Sequence, residues 1–71
     1  MNSSWNMKKE NFNKLNNILQ QYNKAEELYT KSCLENDEQK TWERKNDLDS
    51  IGELLVVTVA DILNDERDNI K

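Results

Sequence analysis

The sequence predicts an all-α protein, an antiparallel hairpin of two long helices that completes a bundle with a partner chain. Three observations predict it. There is no Pro and a single Gly, Gly52, so the tight turns of a sheet have few residues to build them. Apolar residues recur at spacings of three and four over two long stretches, the period of an amphipathic helix. The 71 residues amount to one domain, 1–71, which two helices of similar length and a short turn nearly fill.

Residues 1–6 offer Ser3, Ser4 and Asn6 as N-caps, and Trp5 as a hydrophobic staple onto the first helix. That helix is predicted over about residues 7–34. Phe12, Leu15, Leu19, Tyr22, Tyr29 and Cys33 form its core stripe, widened by Ile18 and Ala25, with Leu28 off the stripe. At 100° per residue these positions fall within about 140° of arc, the usual width of a core-facing side. Cys33 on that stripe reads as a buried structural thiol.

The stripe pauses at residues 34–37, where the turn is placed. Asn36 followed by Gln39 resembles a capping box, and Asp37 and Glu38 suit the positive first turn of a second helix. An alternative start lies at Asn46 or Asp47, with 37–45 as a short separate helix or loop. The second helix is predicted over about 38–68. Leu48, Ile51, Leu55, Thr58 and Ile62 make one stripe, which closes on Leu15, Leu19, Tyr22 and Tyr29. Asp65, Glu66 and Asp68 sit near the negative end of that helix, so fraying is expected there.

One stripe does not use up the apolar run Leu54–Ala60 and its neighbours. Gly52, Val56, Val59, Ala60 and Leu63 project onto an adjoining face, with Val57 further round and Trp42 on the same side. Gly52, Val56 and Ala60 are small and four residues apart, which lets another helix approach closely. Trp42, Gly52, Val56, Val57, Ala60 and Leu63 are therefore the candidate partner interface. The plainer reading is that these are scattered surface apolar residues, or that Trp42 packs over the turn. A β-branched run, Val56-Val57-Thr58-Val59, also admits a strand, but no second strand is available to pair with it.

Composition argues against several chemistries. With no His and one Cys, neither a structural zinc site nor an internal disulfide is expected. Pairs such as Asp47/Asp49 are ordinary on an acidic helix, and no Gly-rich loop or base accompanies them, so no enzyme activity and no cofactor are expected. Residues 1–34 carry five Lys against three Glu, whereas 35–71 carry five basic against eleven acidic residues. Phosphates would be repelled by the second half, so nucleic acid is not an expected partner. The asymmetry suits two helices side by side. The apolar runs are far shorter than the roughly 20 residues of a membrane span. Polar Asn11, Asn13 and Lys14 interrupt any leader pattern. A lone cysteine fits a reducing compartment, so a cytoplasmic location is expected.

Thr41-Trp42-Glu43-Arg44, then Leu48-Asp49-Ser50-Ile51, then the apolar run ending in Val59-Ala60-Asp61, cover about a third of the chain. In this order they resemble the small bacterial co-chaperones of the type III secretion needle subunit. The resemblance implies a coiled-coil-like hairpin that pairs with a larger tetratricopeptide-like chaperone and stabilises it. The pair would hold the needle subunit before export, without enzyme activity or cofactor. Two other readings compete. One is a homodimeric four-helix bundle acting as a small regulator. The other is a small acidic phage or plasmid inhibitor that mimics nucleic acid, although the acids of the second helix are only loosely ordered.

Overall fold

The computed structural model describes residues 6–67, which form helix α1, Lys9–Leu34, and helix α2, Glu38–Glu66, packed against each other as an antiparallel hairpin. The molecule is a narrow slab of 51 × 21 × 18 Å. The expectations for Ser3, Ser4, Trp5 and Asp68 fall outside the described residues. The second helix runs unbroken from Glu38, so no separate element occupies 37–45 and the apolar run 54–60 is helical.

The turn is short because two motifs share it. Asn36 takes φ 57°, a left-handed conformation that Asn tolerates better than most residues. Its N–H donates to Cys33 O, and the Asp37 N–H donates to Ser32 O, the paired bonds of a Schellman motif. Asp37 then caps α2, its Oδ1 accepting from the Lys40 N–H at 2.9 Å. The capping box expected at Asn36 does not form; a simple N-cap stands one residue later, at Asp37, because Lys40 at the third helical position has no acceptor to return the bond. Asn36 is spent on ending α1, and Asp37 starts α2.

The two helices meet along a seam with strict alternation of three and four residues. On α1 it comprises Asn11, Leu15, Ile18, Tyr22, Ala25, Tyr29 and Ser32. On α2 it comprises Thr41, Arg44, Leu48, Ile51, Leu55, Thr58 and Ile62, extended by Glu66. All of these are buried or half-buried, and the period is that of a coiled coil. The α2 stripe inferred from sequence lies wholly on this seam. The α1 stripe does not. Phe12, Leu19 and Cys33 are exposed, and Ile18 and Ala25, taken as flanks, lie at the centre. The error came from demanding apolar residues throughout. The true seam passes through Asn11 and Ser32, both about 2% exposed. Ser32 satisfies its hydroxyl on Tyr29 O at 2.8 Å.

Asn11 is satisfied at the open end. Lys8, which precedes α1, supplies no side-chain cap of its own. Instead Glu66 reaches across from the end of α2 and accepts from the Lys8 backbone N–H at 3.0 Å and from Asn11 Nδ2. The same Asn11 amide donates to Asp65 Oδ2 at 2.8 Å, and Asp65 pairs with the Lys8 ammonium at 3.1 Å. The expected fraying of α2 at Asp65 and Glu66 is therefore not observed. These acids are poorly placed for their own helix, but they sit at the positive N-terminus of α1.

Candidate functional site

Only Ile18, Ala25 and Ile62 are buried apolar side chains among the described residues, while nine large ones are exposed. Their distribution between the two broad sides of the slab is uneven. Viewed along a common axis, antiparallel helices wind in opposite senses. Residues displaced the same way from the seam on each helix therefore land on the same broad side.

At about 100° per residue, Phe12 and Leu19 of α1 project to the same side as Trp42, Val56, Val59, Ala60 and Leu63 of α2. Half-buried Leu15 fills the strip between Phe12 and Leu19. The exposures are large: 68% for Val56, 67% for Trp42, 59% for Phe12 and 51% for Leu63. Phe12, Leu19, Val56, Val59 and Leu63 gather toward the open end. Trp42 stands near the turn, where a groove is lined by Cys33, Asn36, Glu38, Thr41, Trp42 and Lys45.

The other broad side carries more polar and charged side chains at its surface. One groove there is lined by polar Asn17, Gln20, Gln21, Lys24, Arg44, Asp47 and Ser50 together with apolar Ala25, Leu28 and Ile51. A second is lined by Glu10, Lys14, Thr58, Asp61 and Asp65. Leu54, exposed on that side, is the main apolar exception.

The candidates named from sequence are not all brought together. Val56, Ala60, Leu63 and Trp42 share the apolar side. Val57 projects to the outer edge of α2, away from α1, and is exposed. Gly52 is half-buried at the border of the seam, where a Cβ would lie 3.7 Å from Tyr22 Cε1. Its small size therefore faces α1 as well as the open side. Phe12 and Leu19 were missed as surface candidates because the wheel of α1 was read as one stripe. The missing signal was the 140° width, which is generous for a single two-helix seam and contains two adjoining faces.

Cys33 is exposed rather than buried, which corrects the reading of a structural core thiol. The Tyr29 hydroxyl is held above its usual value chiefly by the neighbouring Cys33 side chain, with burial and the Asp49 carboxylate acting in the same direction. The Asp65 carboxyl lies below its usual range because of the bond from Asn11 and then that from Lys8. Lys8 is raised, chiefly by its bond to Asp65. Among the described residues, no group of three His, Cys, Asp or Glu side chains could hold a metal ion. No described helix is long and apolar enough to cross a membrane.

No protein-family model matches the chain, and no curated protein or solved structure is significantly similar to it.

Proposed function

We propose that this protein is a non-catalytic binding partner for another helical protein, and specifically a co-chaperone in type III secretion. In this reading it docks on a larger tetratricopeptide-like chaperone in the bacterial cytoplasm. The complex stabilises that chaperone and holds the needle subunit before export. The observation that carries the binding reading is the one-sided exposure of Phe12, Leu19, Val56, Val59 and Leu63. Contiguous apolar surface of this kind marks interaction sites on small proteins. The narrower identity rests on the ordered segments Thr41–Arg44, Leu48–Ile51 and Val59–Asp61.

The test is co-expression with any tetratricopeptide-like chaperone found encoded near its gene, with and without a needle subunit. A soluble stoichiometric complex is expected, and its loss in the Val56→Glu/Ala60→Glu double variant. Burying two carboxylates at an apolar interface should cost at least a few kcal/mol of binding. A complex that forms equally well with the double variant removes the proposed docking side. Failure of any such chaperone to bind the native chain removes the co-chaperone identity.

A further inference from the structure

We propose that α1 carries two overlapping seams, and that the hairpin is a two-position device. Turning α1 about its own axis exchanges one seam for the other and hides the α1 half of the docking side. This rests on the reading of the apolar side as a docking surface and names what regulates it.

The second seam is read from spacing. It keeps Leu15, Tyr22 and Tyr29 of the observed seam. It replaces Asn11, Ile18, Ala25 and Ser32 by the residues that follow them, Phe12, Leu19, Glu26 and Cys33. The alternation of three and four residues is as strict as before. Burial marks the three shared residues as the pivot. Asn11, Ile18, Ala25 and Ser32 are buried, Leu15, Tyr22 and Tyr29 are half-buried, and Phe12, Leu19, Glu26 and Cys33 are exposed. The shared residues therefore stand between the two sets, on the edge of the seam that meets the apolar side. Four of every seven seam positions advance by one residue, so at about 100° per residue the rotation averages about 60°. Because α1 turns about its own axis, the short turn need not allow any axial slip. The α2 stripe stays where it is.

Gains and losses oppose each other along the helix. Rotation moves Phe12, 59% exposed, and Leu19, 41% exposed, toward the seam in place of Asn11 and Ile18. Cys33 replaces Ser32 at the turn end. Against this, the carboxylate of Glu26 takes the central place of Ala25. Asn11 also leaves Glu66 and Asp65, to which it donates in the observed position. Two packings of one sequence that differ by such opposed exchanges lie close in free energy. A partner that docks on Phe12 and Leu19 binds only the observed position and holds the hairpin there.

Cys33 reports the position of α1, being exposed in the observed one and in the seam of the other. The test is the rate of Cys33 alkylation by iodoacetamide in the full chain, with helicity followed in parallel. Glu26→Leu removes the charge from the second seam and should slow alkylation by about 10-fold or more. Losing a nearby negative charge would by itself favour the thiolate and speed the reaction, so slowing has to come from shielding. Glu26→Gln, nearly isosteric, should slow it by roughly 2-fold or more, which keeps the test valid if Glu26→Leu loses helicity. Glu27→Leu, exposed on the outer edge of α1, should leave the rate unchanged. Adding Leu19→Glu to Glu26→Leu should restore the fast rate, since a carboxylate returns to the second seam. The protection should not depend on protein concentration, because it arises within one chain. Unchanged rates in both Glu26 variants, equal slowing by Glu27→Leu, or protection that rises with concentration would each overturn the proposal. A chaperone complex alongside unchanged rates would overturn the rotation and leave the docking reading standing. The expected rates without any chaperone complex would do the reverse.

Discussion

Asn11→Ala is the most informative substitution for the fold. Asn11 is about 2% exposed, and its amide donates to both Glu66 and Asp65. Glu66 is 0% exposed, so its carboxylate depends on donors within the protein. Removing one hydrogen bond to a buried charged group costs roughly 1.5–3 kcal/mol. The lost bond to half-exposed Asp65 adds to the same direction. For a domain of this size each kcal/mol lowers the midpoint by about 4–8 °C, so a fall of roughly 10–20 °C is expected. The assay is thermal unfolding by circular dichroism at one fixed protein concentration, since an associating chain melts higher when more concentrated. Asn11→Ala/Glu66→Leu should then cost less than the sum of its two single changes by more than about 1 kcal/mol, because no buried charge is left short of a donor. A single-variant loss below about 0.5 kcal/mol would refute the claim that this clasp holds the open end.

Three further outcomes are expected of the hairpin. Asp65 is held below the ordinary carboxylate value of 3.8, so its contribution is present above that value and fades as pH falls through the lower folded one. Lys8 is raised above 10.5, so its contribution is present below 10.5 and fades as pH climbs through the folded value. Urea midpoints should therefore decline at both extremes, and Asn11→Ala should weaken the acid limb. Gly52→Ala should stabilise by roughly 0.5–1 kcal/mol, because its φ is negative and the new Cβ would meet Tyr22 at an ordinary 3.7 Å; a lower melting midpoint would contradict that. Asp37→Ala should cost about 1 kcal/mol through loss of the bond to Lys40 N–H, and Asn36→Val a further 1–2 kcal/mol, roughly, by forcing a β-branched residue into the left-handed region, both read from urea unfolding.

The hairpin, its turn and the inward stripe of α2 were legible because each rests on local rules. Leu48, Ile51, Leu55, Thr58 and Ile62 are periodic, and Asp37 and Asn36 are cap residues. The inward face of α1 was not legible, because burial there is decided by a partner far along the chain. Asn11 is buried only because Glu66 and Asp65 arrive from more than fifty residues away. No periodicity argument assigns an asparagine to a seam on that basis. The candidate side was half legible for a related reason. On α2 the surplus of Val56, Ala60 and Leu63 could be counted directly. On α1 the surplus of Phe12 and Leu19 was hidden, since wrongly excluding Asn11 and Ser32 from the seam left room to place them inside.

The polar seam residues also settle a problem that a coiled-coil hairpin creates for itself. A seam repeating every seven residues can slide by one heptad with little change in apolar burial. In the observed register Asn11 meets Glu66, and Gly52 lies beside Tyr22. A slip of α2 by seven residues toward the turn of α1 would bring the Glu66 carboxylate to the level of Ile18 and strip it of Asn11 and the Lys8 N–H. Taking a buried carboxylate away from these two donors costs a few kcal/mol, more than the few apolar contacts of this seam could return. The Schellman turn forbids the same slip at the other end, because Asn36 and Asp37 leave no slack between the helices. With register fixed by polar groups at both ends, the apolar residues are released from specifying the hairpin and stand on its outer side.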